Sequence, residues 1–208
     1  MIDPSTKMQW MDLNNQKVYI DSMHKLFQMY SHKAKNVTSE ISLVTFDPEK
    51  EKVHITDYLG WTQIVSIRRR CKKNTSLCII GIDAPNSPEL QCTEDTLIPV
   101  YYGEGVVGFH GEMKYPFVVK RADDILLDGT DLIKVCWRPE GKPDPFYRVK
   151  PIGFAQESIP VYQILTRSGF YSANYFHLWA RKEIPTDYCE VCSVNETQNC
   201  AGCRKEKI

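Results

Sequence analysis

No apolar run in this 208-residue sequence approaches the ~20 residues a helix needs to cross a bilayer. The opening MIDPSTKMQW lacks both the basic and the apolar part of an export signal. The expectation is a soluble, unsecreted protein of the cell interior, cytoplasmic or carried in a virion. Charge of one sign is not in excess either, because 26 Lys and Arg face 26 Asp and Glu. That balance argues against nucleic-acid binding by bulk charge and leaves only a local patch such as Arg68 to Arg70, Lys72 and Lys73, whose plainer reading is a solvated loop. Phosphate-cradling glycine patterns are missing as well. Gly103 to Gly111 carries four glycines around Val106, Val107 and Phe109, but neither the dinucleotide spacing nor a P-loop lysine, so it reads as loop and hairpin. Heptads, low complexity and internal repeats are absent.

What is present is a succession of short β-type segments. One early helix stands out, with Asp21-Ser22 as its N-cap and Met23, Leu26, Phe27 and Tyr30 at helical spacing. Lys17 to Ile20 reads as a strand before it. After Ile41 the period changes to two. ISLVTFD and KVHITDYL flank a turn at Pro48, and QIVSIRR and LCIIGI look like a second pair. Leu90 to Tyr102 is a strand with a break near Thr93-Glu94-Asp95. Tyr115 to Lys120, Leu132 to Trp137 and Arg148 to Ala155 follow, with Asp128-Gly129 as a turn. The last segment, PVYQILTRSGFYSANYFHLW (160–179), reads as two strands around Ser168-Gly169. The fold class is therefore mainly β: a single domain of short antiparallel strands with one early helix over residues 1–180.

Several of these pieces, taken in order, resemble the Hint domains of inteins and related self-processing proteins. ISLVTFDPEKEKVHITDYLGW resembles the strand, Asp-Pro turn and strand after an intein's opening. IVSIRRRC through LIPVY is similar to the strands leading into a Thr-x-x-His block. FVVKRADDILLDGTDLIKV and PVYQILTRSGFYSANYFHL resemble the later and closing passages. The resemblance spans about residues 5 to 180. It implies a first-residue Cys or Ser as acyl acceptor, a Thr and a His that polarise and protonate the scissile amide, a late Asp, and a penultimate His assisting a final Asn that cyclises. Carried over residue by residue, Thr93 takes the Thr position and Thr96 the His position. Gln163 takes the late Asp, His177 the penultimate His, and Leu178 the Asn, with Ser5 the hydroxyl nearest the start. A hydroxyl cannot supply a proton near neutral pH as imidazole can, and Leu178 has no amide to cyclise, so splicing is not expected. A rival register makes Cys92 the nucleophile of an opening CTEDTLIP and His177 the block histidine, with Asn174 in place of the Thr; it leaves 91 residues upstream. The plainer readings are a buried strand thiol for Cys92 and an ordinary core or surface histidine for His177.

Eight cysteines remain to be placed. Cys71, Cys78, Cys92 and Cys136 are scattered and read as buried thiols of a reducing compartment. Without an export signal, the triplets Asn36-Val37-Thr38 and Asn195-Glu196-Thr197 read as accidental glycosylation matches. Cys189-x-x-Cys192 and Cys200-x-x-Cys203 form two pairs with the spacing of a tetrahedral thiolate site, so residues 181–208 are expected to be a small four-cysteine zinc knuckle with a structural ion. Free or disulfide-linked thiols are the alternative. Three functions follow. The first is a non-catalytic interaction or assembly module with a protein partner, in a virus or mobile element. The second is a self-cleaving domain using Cys92 or His177, and the third is zinc-assisted nucleic-acid binding by the tail.

Overall fold

The computed structural model describes residues 1–34, 41–45, 60–71, 75–102, 106–107, 113–128, 130–135 and 146–180. In chain order its elements are β1 (Lys7–Asp12), β2 (Lys17–Ser22), α1 (Met23–Ala34), β3 (Ile41–Val44), β4 (Trp61–Cys71), β5 (Thr75–Ile82), β6 (Leu90–Thr93), β7 (Leu97–Tyr101), β8 (Val106–Val107), β9 (Met113–Lys114), β10 (Phe117–Arg121), α2 (Ala122–Asp128), β11 (Leu132–Lys134), β12 (Phe146–Glu157), β13 (Pro160–Thr166), β14 (Phe170–Ala173) and β15 (Phe176–Trp179). The fold is mainly β, as the period-two patterning predicts.

Among the described residues every strand pairing is antiparallel. One sheet runs β13-β4-β3-β1-β2; a larger one runs β14-β15-β7-β11-β12-β5-β6, with β10 also on β7. Ile2 joins the two. It bridges to Tyr162 on β13 and to Cys92 on β6. Its N–H donates to the Tyr162 carbonyl at 2.9 Å, and the Tyr162 N–H returns a bond at 2.8 Å. The start of the chain thus fills the gap between two sheet edges whose backbone groups would otherwise need other partners.

The apolar faces of both sheets and of α1 share one core, with Met8, Trp10, Leu43, Ile64, Ile80, Val100 and Phe176 among its members. The early helix is where the sequence places it. Ser22 caps it, its Oγ accepting the Lys25 N–H at 3.3 Å. Met23, Leu26 and Phe27 are fully buried, and Phe27 leans on Tyr162 with ring centroids 5.2 Å apart.

Local pairings differ from expectation in four places. β1 is a strand that KMQWMD does not announce, since Met11 breaks its alternation; Met8 and Trp10 are nevertheless the buried residues. α2 adds a short helix at Ala122-Asp123-Asp124, whose acidic first turn complements the helix dipole. QIVSIRR and LCIIGI do not pair with each other; β4 joins β13 and β3, while β5 joins β12 and β6. Ser168-Gly169 does not close a hairpin between β13 and its successor. Gly169 (φ 82°) bends the chain from one sheet into the other. The closing hairpin is β14–β15, turned by Asn174 (φ 44°) and Tyr175 (φ 73°).

Candidate functional site

The turn between β6 and β7 holds Thr93, Glu94, Asp95 and Thr96, and α2 fixes it. The Ala122 N–H donates to the Thr96 carbonyl at 2.8 Å and the Asp123 N–H to the Glu94 carbonyl at 3.3 Å. The Ser76 hydroxyl adds a bond to Glu94 Oε1 at 2.5 Å. On the chain side, Asp3 shapes the approach. Its carboxylate accepts the Ser5 N–H at 2.7 Å and the Ser5 and Thr6 hydroxyls at 2.5 Å each. Ser5, the hydroxyl the sequence offers as a substitute acyl acceptor, is engaged in that turn.

Residue 1 lies in the cradle so formed. The Met1 nitrogen donates to Thr93 Oγ1 at 2.8 Å and Thr96 Oγ1 at 2.5 Å. The Met1 carbonyl accepts the Thr93 N–H at 2.7 Å and the Thr96 hydroxyl at 2.8 Å. Each hydroxyl has one proton to give. Thr96 gives its proton to Met1, and Thr93 gives its own to Asp95 Oδ1 at 2.5 Å. Both threonines are 5% exposed, so these bonds form away from bulk water. Thr93 and Thr96 therefore sit together on the nitrogen of residue 1.

A small cavity of about 20 Å³, room for one water, opens beside this cradle between Met1, Asp95, Thr96, Gln163, Tyr171 and Trp179. A larger cleft of about 270 Å³ lies on the other side of Met1 and is bordered by Arg70, Ser76, Thr93, Glu94 and Arg121. Gln163 thus reaches the same place as Thr96. His177 borders neither cavity. It is 1% exposed on β15 opposite Ser172. Burial, with the Lys134 ammonium adding to it, holds its imidazole well below the ordinary histidine range. Lys134 is itself buried, its Nζ 4.7 Å from the Tyr101 ring centroid and 4.9 Å from that of Phe146. The residue of β15 that reaches the cradle is Trp179, paired with Leu97 next to Thr96. Ala180 follows, with its N–H on the Gly169 carbonyl at 2.8 Å.

Cys92 lies directly across from Cys78 in the β5–β6 pair, and both are free and fully buried. Burial pushes the Cys92 thiol up to about 11 and the Cys78 thiol to about 12. At neutral pH both are protonated and poor nucleophiles. Among the described residues no group of three or more His, Cys, Asp or Glu could hold a metal. Cys189, Cys192, Cys200 and Cys203 lie outside the described residues. No helix among those residues is long and apolar enough to cross a membrane.

Sequence reasoning misses Met1 and Trp179. Trp179 is placed by its long-range pairing with Leu97 and Met1 by the bridges of Ile2, and no local pattern records either.

Solved structures with this architecture include several inteins. The transcription factor IIB Mvu mini-intein matches with a TM-score of 0.61 at 14% identity, covering 86% of this chain and 99% of its own. The Pab PolII intein matches at 0.56 and 12%, over 87% and 100%. The KlbA intein precursor from Methanococcus jannaschii matches at 0.53 and 14%, over 89% and 93%. No protein-family model and no curated protein matches the chain. At these identities the likeness establishes a Hint, intein-like fold, and the chemistry has to be read from the residues.

Proposed function

We propose that this chain is a Hint-fold module without self-processing chemistry, serving as a non-catalytic interaction or assembly module for a protein partner. One observation carries the reading: the cradle around residue 1 holds Met1, Thr96, Gln163 and Trp179. Acyl transfer needs a nucleophile that can shed a proton. A thioether has none, and its acylation would give a sulfonium rather than a stable thioester. The departing amide nitrogen must be protonated, and a threonine hydroxyl is far too weak an acid for that near neutral pH. The strand that enters the cradle brings Trp179, which has neither imidazole nor carboxamide. What these residues do supply is structural: four hydrogen bonds lock Met1 in place.

The self-cleaving alternative draws less support. Cys92 faces Cys78 as a buried, protonated thiol, and His177 lines neither cavity beside residue 1. Mass spectrometry of the chain carrying upstream and downstream extensions tests the proposal. An intact mass is expected, whereas ligated flanks or a fragment beginning at Cys92 would refute it.

For the tail we propose a structural zinc bound by Cys189, Cys192, Cys200 and Cys203, because two C-x-x-C turns complete a tetrahedral thiolate shell. Elemental analysis should give one zinc per chain, and Cys200→Ser should abolish it while the β domain stays folded. A metal-free chain would leave those cysteines as ordinary thiols. Nucleic-acid contact through this tail is the lesser reading, since 26 positive and 26 negative side chains leave no bulk attraction.

A further inference from the structure

The five-stranded sheet ends on β2, whose one strand neighbour among the described residues is β1. The pairing runs over six residues without a register shift, and β2 contains no proline. A bulge and a proline, two of the devices that blunt an exposed edge, are absent from β2, which carries only the charges of Lys17 and Asp21. Trp10 lies across from Tyr19 and Met8 across from Asp21, so Lys17, Tyr19 and Asp21 share the face of the buried Met8 and Trp10. Tyr19 stacks on Trp10 at 4.5 Å, and Asp21 accepts the Trp10 indole N–H at 3.2 Å. Val18 and Ile20 occupy the opposite face, 49% and 61% exposed. Among the described residues, two β-branched side chains are thus left in water on the sheet's outermost strand.

The order of side chains selects what fits there. Lys17-Val18-Tyr19-Ile20-Asp21 is its own chemical complement when reversed about Tyr19. We propose that a second copy of this chain docks on β2, the two strands running antiparallel about a two-fold axis at Tyr19 and joining two five-stranded sheets into one. Each Lys17 then faces the partner's Asp21, joining the Lys25 ammonium that Asp21 already holds at 2.6 Å, each Val18 faces the partner's Ile20, and the two Tyr19 rings meet at the axis. A parallel, in-register entry sets Lys against Lys and Asp against Asp. A slip by one residue sets Val18 against Asp21 and mismatches the two faces of the sheet. A slip by two sets Tyr19 against Asp21 or Lys17. Only the Tyr19-centred arrangement satisfies charge and apolar contact together. The inference stands apart from the residue 1 cradle, which joins the other end of the same sheet at β13.

Sedimentation velocity on the full chain across a concentration series tests it. The parent should show a monomer–dimer equilibrium. Ile20→Lys should weaken dimerisation about ten-fold, because each variant dimer loses both symmetric Val18–Ile20 cross-strand pairs. Val18→Lys, the second variant should the first fold poorly, should act in the same direction. Lys17→Glu should weaken the dimer and Lys17→Arg preserve it, while Val65→Lys, at an exposed site on β4, should leave it unchanged. Circular dichroism establishes that each variant is folded. A parent that stays monomeric at high concentration, or a folded Ile20→Lys or Val18→Lys chain that dimerises as tightly as the parent, overturns the proposal.

Discussion

Replacing Thr96 with Val keeps the side chain's shape and removes one hydroxyl on which Met1 depends twice. Thr96 Oγ1 receives the Met1 nitrogen at 2.5 Å and gives its proton to the Met1 carbonyl at 2.8 Å. Neither Met1 atom is left bare, because Thr93 Oγ1 still meets the nitrogen at 2.8 Å and the Thr93 N–H still meets the carbonyl at 2.7 Å. Two hydrogen bonds are lost, one of them to a charged nitrogen, but both Met1 atoms keep a partner, so the cost is about 1–2 kcal/mol. For a chain of this size that lowers Tm by about 2–8 °C. Thr93→Val should cost more, since its hydroxyl also serves the Asp95 carboxylate at 2.5 Å and bonds to charged groups are worth about 1.5–3 kcal/mol. The double variant strips both hydroxyls from the Met1 nitrogen, so its cost should exceed the sum of the single costs by about 0.5 kcal/mol or more. Thermal and urea melts followed by far-UV circular dichroism measure all three. A Thr96→Val chain that melts no lower than the parent, or strictly additive costs, would refute a cradle that works by holding Met1.

Cys92 and Cys78, with thiols raised to about 11 and about 12 by burial, should resist iodoacetamide at pH 8 in the folded chain and react quickly in urea; peptide mapping that finds equal rates would contradict this. His177 is held neutral by burial and by Lys134. The unfolded chain takes up a proton near 6.5 that the folded chain refuses, so stability falls as pH drops below that value, by up to about 1.4 kcal/mol per pH unit, and is unaffected above it. Urea melts at pH 7 and pH 5 should show a smaller acid loss for His177→Gln than for the parent, and equal losses would sink the assignment. Tyr175 holds φ 73° on a half-exposed turn, a conformation that costs a non-glycine residue about 1–3 kcal/mol. Tyr175→Gly should therefore raise Tm, and a lower Tm would mean that the ring contributes more than the strain.

How much of this is legible in the sequence depends on whether local chemistry or long-range pairing decides the element. The early helix is readable because Ser22 and the Met23, Leu26, Phe27 spacing are local signals. The break in Leu90 to Tyr102 is readable because Thr93-Glu94-Asp95 interrupts an apolar run, and it is the turn that holds residue 1. Partner choice is not readable. QIVSIRR and LCIIGI are adjacent in sequence, yet each finds its neighbours far along the chain, and nothing in either strand records that. The closing hairpin misleads for a specific reason. Tyr175 occupies a left-handed position where glycine is the usual signal, so Ser168-Gly169 looks like the turn instead. His177 enters instead as the penultimate histidine of the intein resemblance; its imidazole is buried beside Lys134, and Trp179 is the residue that lines the cavity at residue 1. Met1 carries no motif at all; its importance comes from Ile2 bridging two sheets and drawing residue 1 between the threonines.

The most direct measurement is the intact mass of a chain with folded extensions at both ends, incubated with hydroxylamine, which cleaves any ester or thioester that forms. The account predicts one species at the full mass with and without the reagent, because the Met1 thioether, Thr96, Gln163 and Trp179 offer no route to an acyl intermediate. A hydroxylamine-dependent fragment beginning at Met1 or Cys92, or a ligated pair of extensions, would contradict it.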